Sequence, residues 1–278
     1  MRLAIPTSRR WWSPFLCLLC ACLAATAAAQ NEFENSTTVR GCAPRPSSTT
    51  VPGTPPPPQP PRNFGIIVYR AYELLDVFGP LSVLGTLAKM HQMNLYMISE
   101  TMGPVTVEPV AAAMNSRNSS FFPVVLSTHT YATAPKDLDV LIVPGGLWTR
   151  SPNLNSTIAY IRATYPGLRY LVSICTGAGV VARAGVLDGR RATTNKASWA
   201  STVEWGPRTE WVARARWVVD GNVWTSSGVS AGIDATLAFV EEAYGAADAA
   251  YVADLMEYDR HRDPSWDPYA DRFNVTGA

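Results

Sequence analysis

The chain has 278 residues, and 23 Lys and Arg stand against 22 Asp and Glu, a formal net charge of +1 at pH 7. So even a balance gives no basic footprint for nucleic acid and no strong electrostatic steering of a charged partner. Of five cysteines, Cys17, Cys20 and Cys22 fall in the first apolar stretch, which leaves Cys42 and Cys175, too few for a disulfide framework.

The first element carries Arg2, Arg9 and Arg10, then an apolar run over 15–25, then Ala27-Ala-Ala29. Positive start, short apolar core and small-residue exit predict a secretory signal peptide over 1–29, cleaved after Ala29. The run is short of the roughly 20 residues that a membrane span needs, and no later segment is apolar enough to supply one. A secreted, extracellular protein is the expectation. Residues 30–62 are rich in Pro, Ser and Thr, with Pro55 to Pro58 consecutive, and predict a disordered linker. Four N-x-[ST] sequons, at Asn35, Asn118, Asn155 and Asn274, become candidate glycan sites on a secretory route.

From residue 64 the pattern alternates. A strand is predicted over 64–69 and a helix over 79–90, with Pro80 in its first turn. Strands follow over 95–99, 105–107, 122–125 and 140–143, the last ended by Pro144-Gly145-Gly146. A helix over 155–164, a strand over 170–174 and a helix over 180–184 come next. Strands over 192–194, 211–219 and 223–226 precede helices over 233–244 and 247–258. Strands interleaved with crossover helices predict an α/β domain over 63–258, its mostly parallel sheet covered by helices on both faces. The polar, Pro-containing stretch 259–278 reads as a loose tail.

Within that frame Cys175 stands out. It lies in Tyr170-Leu-Val-Ser-Ile-Cys-Thr-Gly-Ala-Gly179, where an apolar strand passes through small residues into a helix. That is the pattern of a nucleophile elbow. A helix N-terminus behind the thiol would lower its pKa. The competing reading is a buried, inert cysteine, which packs as a small hydrophobe. In open α/β sheets the ligand crevice lies beyond the carboxyl ends of the strands. There the loop with Glu73 and Asp76, the Gly145-Gly146 turn and Cys175 should meet. The N–H groups of Gly145, Gly146 and Thr176 are candidate donors to an oxyanion, though Gly-Gly also suits a plain tight turn. Phe78, Trp148 and Trp199 could wall a small apolar pocket. His91, His129 and His261 lack a spacing that would bring them to the elbow.

Four segments carry a resemblance: Ser173-Ile-Cys-Thr-Gly-Ala178 with the following Ala182 to Thr194, Tyr72-Glu-Leu-Leu-Asp-Val-Phe-Gly-Pro80, Leu138-Asp-Val-Leu-Ile-Val-Pro-Gly-Gly146, and Trp224-Thr-Ser-Ser-Gly-Val-Ser-Ala-Gly-Ile-Asp234. In this order they closely resemble the DJ-1/PfpI superfamily over about 63–251, above all its isocyanide hydratase-like branch, and also the amidotransferase-like domain of some AraC-type regulators. The resemblance implies a flavodoxin-like, class I glutamine amidotransferase-like sheet. It places Asp76 where the family's acidic residue touches the cysteine, with Glu73 as the competing candidate. Asn195 stands where several hydrolytic relatives carry histidine, and Asn cannot act as a general base. The resemblance therefore implies a Cys-Asp hydratase or lyase for a small isocyanide-like electrophile, rather than a Cys-His protease or amidase. A non-catalytic ligand-binding or redox-sensing protein on the same fold is the alternative. No helix-turn-helix region follows residue 258, so a DNA-binding regulator is not expected. A small-molecule substrate is expected, with no metal and no cofactor, and a homodimer is left open.

Overall fold

A computed structural model describes residues 59–275. The signal segment, the linker up to residue 58, Asn35 and Cys42 lie outside the described residues. Strand β1 (Asn63–Ile67) is followed by helix α1 (Leu74–Leu87), β2 (Asn94–Ser99), and a small antiparallel pair, β3 (Pro104–Thr106) with β4 (Val124–Leu126). Then come β5 (His129–Thr130), β6 (Val140–Val143), α2 (Asn155–Thr164), β7 (Tyr170–Ile174) and α3 (Gly177–Arg183). A second small pair, β8 (Arg191–Ala192) with β9 (Glu210–Trp211), flanks α4 (Trp199–Val203). The chain closes with β10 (Trp217–Asp220), β11 (Val223–Ser226), α5 (Ala231–Tyr244), α6 (Ala246–Leu255) and α7 (Tyr269–Arg272).

Seven strands form the main sheet in the order β10-β11-β7-β6-β1-β2-β5. Only the β10–β11 pair is antiparallel. Val140 to Val143 are all buried, as are Val223 to Ser226. Successive side chains on a strand point to opposite faces, so both faces of these strands are covered. That is why they read as unbroken apolar runs rather than alternating ones. Helix α1 packs on α5 and α6, and α2 packs on α3. The core runs through Phe64, Ile66, Ile67, Leu141, Ile142, Leu171, Ile174 and Phe239.

Three expectations need correction. The helix expected from residue 79 begins at Leu74, and Pro80 lies inside it rather than in its first turn. Asp76 therefore sits in the first turn of α1, not in the loop before it. The single strand expected over 211–219 is two strands with a connection between them. Its backbone is claimed elsewhere: Ala215 O accepts from Lys196 Nζ at 3.1 Å, and Arg216 N–H donates to Pro264 O at 2.6 Å.

The stretch after 258 is not loose over the described residues. Asp267 and Lys196, each with a side chain 1% exposed, form an ion pair at 3.1 Å. Ser227 Oγ donates to Asp267 Oδ2 at 2.9 Å, and His261 N–H donates to Asp234 Oδ1 at 2.9 Å. Polar composition suggested a solvated tail because sequence does not show that these polar groups have buried partners waiting in the domain.

Candidate active site

Cys175 joins β7 to α3 in the left-handed region, at φ 58°. Such a backbone is costly for a residue with a Cβ, and it is the geometry of an elbow that turns a side chain out of a sheet. The turn is held on both sides. Cys175 N–H donates to Ser226 O at 3.2 Å, and Thr194 Oγ1 donates to Cys175 O at 2.8 Å. A side chain on Gly177 would collide with the backbone of Val143 and Pro144, so the small residues after the cysteine let α3 start tight against β6.

Asp76 is fully buried in the first turn of α1. Its Oδ2 accepts the Gly145 N–H at 2.8 Å, while Oδ1 is buried with no N–H or O–H partner. The Cys175 thiol lies beside this carboxyl. Burial pushes the Asp76 pKa up to about 7, a rise that the Gly145 N–H opposes and the Glu73 charge adds to. A carboxyl with such a pKa can take up and release a proton near neutrality.

The thiol does not have the low pKa expected from the sequence. Burial, and then the Asp76 charge, push it well above the usual thiol range, against the Val229 and Thr176 N–H groups and the Asn195 side chain. Helix α3 has only seven residues, and its terminus cannot outweigh the cost of enclosing a thiolate.

The Gly145-Gly146 turn also has another role than the one expected. Gly145 N–H is taken by Asp76, and Gly146 N–H donates to Thr176 Oγ1 at 3.0 Å. Neither is free for an oxyanion. The turn instead fastens the acid and Thr176 in place. A Cβ on Gly145 would lie 2.7 Å from Thr176 N and 2.8 Å from Asp76 Oδ2. Gly146, at φ 137°, would bring a Cβ within 2.6 Å of Tyr72 Cα. Gly145 is required because Thr176 and Asp76 close on it, and Gly146 because the loop before α1 passes directly across the turn.

Donors that do face the sulfur are the Thr176 N–H, the Val229 N–H and the Asn195 side chain. Val229 has φ 41°, a strained conformation for a β-branched residue, in the turn between β11 and α5. Asn195 Oδ1 accepts the Ser198 N–H at 3.0 Å, which leaves its NH2 group toward Gly228. A Cβ on Gly228 would come within 2.5 Å of that nitrogen.

The remaining candidates take other positions. Glu73 occupies the N-cap position of α1, half-buried, and its N–H donates to Gly145 O at 2.9 Å. Phe78 is 41% exposed. Trp148 is half-buried in a short 3-10 turn, Leu147–Arg150. Trp199 is buried against Trp211 and under the Lys196 ammonium, 5.0 Å from its ring, a packing role. The chain's three histidines are committed elsewhere. His91 Nε2 meets Asp248 Oδ2 at 2.7 Å, His129 Nδ1 meets Thr128 Oγ1 at 3.0 Å, and His261 stacks on Trp266.

Sequence reading missed Tyr69 and Thr149. Buried Tyr69 donates from its hydroxyl to Pro144 O, and its own ionisation is suppressed by burial and by the Asp76 and Cys175 charges. Thr149 Oγ1 reaches Thr176 Oγ1 at 3.0 Å. The one available signal was their position beside the β1 end and the Gly-Gly turn. Among the described residues no cluster of three or more His, Cys, Asp or Glu could hold a metal, and no helix is long and apolar enough to cross a membrane.

Parallel sheet, cysteine elbow and buried carboxyl together define an α/β protein with a cysteine–carboxyl site at the ends of its central strands. The DJ-1/PfpI family profile matches residues 65–242, and the chain belongs to that family. It is 32% identical over 198 residues to the isonitrile hydratase of Pseudomonas putida, covering 70% of this chain and 78% of that protein. A ThiJ/PfpI family protein from Pseudomonas syringae is 27% identical at a TM-score of 0.60, over 80% of this chain and 86% of that one. Drosophila melanogaster DJ-1beta shares the fold at a TM-score of 0.57 and 20% identity, over 72% of this chain and 99% of that one.

Proposed function

We propose that this protein is a cysteine-dependent hydratase that converts an isocyanide to an N-substituted formamide through Cys175 and Asp76. The observation that carries the reading is the buried Asp76 carboxyl beside the Cys175 thiol, with every histidine of the chain placed elsewhere. Likeness to the isonitrile hydratase supports the choice of substrate class.

In the proposed sequence, Sγ bonds to the terminal carbon of R–N≡C while the thiol proton passes through Asp76 to the same carbon. The product is the thioimidate R–N=CH–S–Cys175. Water then adds across C=N, its hydroxyl to carbon and its proton to nitrogen. As the C–S bond breaks, Asp76 moves the hydroxyl proton to sulfur and R–NH–CHO leaves. One water is consumed and nothing is oxidised. A high thiol pKa requires proton transfer together with S–C bond formation, and a carboxyl that titrates near 7 suits that task. Negative charge on the departing sulfur would be met by the Thr176 and Val229 N–H groups and by Asn195.

An isocyanide hydration assay with formamide detection, on the wild type and Cys175→Ser, tests the proposal. Turnover that vanishes with the thiol is the expected result. No turnover in the wild type, or equal turnover in Cys175→Ser, overturns it.

A non-catalytic ligand-binding role is the second reading, favoured by the enclosure of the thiol and its raised pKa. A redox-sensing role draws no such support, since sensor thiols are accessible and of low pKa.

The mature protein is further proposed to be secreted and glycosylated. The signal-like N-terminus motivates this, and Asn118, Asn155 and Asn274 are all exposed. Sequencing of the protein from culture medium should begin near Gln30. An intact Met1 on intracellular protein would contradict it.

A further inference from the structure

The Gly-Gly turn runs straight into the 3-10 turn Leu147–Arg150, in which Thr149 alone is buried, with no exposed surface. Thr149 takes no part in the reaction scheme. Its hydroxyl donates to Gly146 O at 2.7 Å, a bond within its own turn that would by itself satisfy a buried hydroxyl. The same oxygen also lies 3.0 Å from Thr176 Oγ1, 27 positions along the chain. A role confined to the turn does not require that second contact.

We propose that Thr149 is a positioning residue: through the Thr176 hydroxyl it holds the Thr176 N–H against Cys175 Sγ. For its effect on turnover the proposal rests on the hydratase reading. Thr176 Oγ1 accepts the Gly146 N–H at 3.0 Å and meets Thr149 Oγ1 at 3.0 Å. Its further contact, with Gly146 O, is 3.4 Å long, too long to fix a hydroxyl alone. The Thr176 side chain is therefore held on two sides, by the Gly146 N–H and by Thr149.

Thr176 directly follows the elbow cysteine, and its backbone N–H is one of the groups that face the sulfur. A β-branched side chain has few rotamers, so fixing its hydroxyl also fixes the backbone that carries it. Thr176 sits at the start of α3, yet its side chain makes no cap bond to that helix. It is anchored instead across the site, on the Gly146–Thr149 turn.

The same turn carries the acid. Gly145 N–H donates to Asp76 Oδ2 at 2.8 Å, and Gly146 O accepts the Thr149 N–H at 3.2 Å as well as the Thr149 hydroxyl. Thr149 thereby ties the turn that holds Asp76 to the elbow that holds the thiol. A misplacement of about 1 Å between reacting groups can cost on the order of 10²-fold in rate. Because Thr149 has no exposed surface, it touches no substrate, and its loss should be felt in kcat rather than in KM.

Thr149→Val and Thr149→Ser separate the hydroxyl from the packing. Val keeps the shape and removes the hydroxyl, whereas Ser keeps the hydroxyl and removes a methyl group. The first readout needs no substrate: the rate of iodoacetamide labelling of Cys175 at about pH 8, in a Cys42→Ser background. Thr149→Val should slow labelling by about threefold or more, because the Thr176 N–H favours the thiolate. Asp76 and Tyr69, the other titratable groups facing the thiol, are unaltered. In isocyanide hydration its kcat should fall by about tenfold or more, with KM within about twofold. Thr149→Ser should recover most of both. Circular dichroism would verify the fold, and Thr149→Ala, which differs from Thr149→Ser by the hydroxyl alone, repeats the contrast should the valine variant not fold. If isocyanides are hydrated but Thr149→Val matches the wild type, or Thr149→Ser falls as far as Thr149→Val, the positioning role is wrong and the hydratase reading stands. If no isocyanide is hydrated, yet labelling slows in Thr149→Val and recovers in Thr149→Ser, the positioning role stands and the hydratase reading fails.

Discussion

Asp76 is held against Cys175 by the N–H of Gly145, a residue 69 positions away in the chain. That single hydrogen bond brings the first turn of α1, the end of β6 and the elbow after β7 to one point. It also sets the electrostatics. The acid is neutral or charged according to small changes near pH 7, and its charge opposes ionisation of the thiol.

One consequence is slow alkylation. Iodoacetamide should label Cys175 with an apparent pKa above the free-thiol value of about 8.5, measured in a Cys42→Ser background. Asp76→Asn removes the opposing charge and should move the labelling curve to lower pH. A wild-type curve with its midpoint below 8.5 would show that burial does not dominate.

Folding stability should carry the same signature. The Asp76 pKa is raised from the ordinary carboxylate range to about 7. Below about pH 4 the group is protonated in both folded and unfolded chains and contributes no slope. Between there and about 7 the folded protein keeps a proton that the unfolded chain has lost, so stability falls as pH rises, then levels off. Asp76→Asn should abolish this contribution. Denaturant midpoints across pH 4–8 would test it, and parallel wild-type and variant curves would contradict it.

The buried pair Lys196–Asp267 should anchor the C-terminal segment. Asp267→Asn leaves Lys196 enclosed without its counter-charge and should cost about 3–5 kcal/mol, measured by chemical denaturation. A loss under about 1 kcal/mol would mean that the segment is held mainly by other contacts.

Much of the fold was legible because buried parallel strands are written as short apolar runs. The segments 140–143, 155–164, 170–174 and 223–226 have the bounds read from the sequence. Cys175 was legible for the same local reason: strand, small residues and helix are contiguous. Asp76 was reached through family resemblance, since nothing local distinguishes it from an ordinary acid in a helix's first turn. The role of the Gly-Gly turn was misread because a glycine's N–H partner lies far off in sequence. The lowered thiol pKa failed for a related reason. The helix behind a cysteine can be read locally, whereas its enclosure depends on residues such as Val229 and Asn195. The anchoring of the C-terminal segment was hidden most deeply, because polar residues that pair inside a domain have the same composition as a solvated tail.

The pH profile of isocyanide hydration in the wild type and Asp76→Asn tests the Cys175–Asp76 account most directly. The account predicts that wild-type kcat/KM changes through an inflection near 7. In Asp76→Asn the rate should fall by roughly 10²-fold and that inflection should disappear, while Glu73→Gln keeps both. An Asp76→Asn variant with undiminished turnover and an unaltered inflection would contradict it.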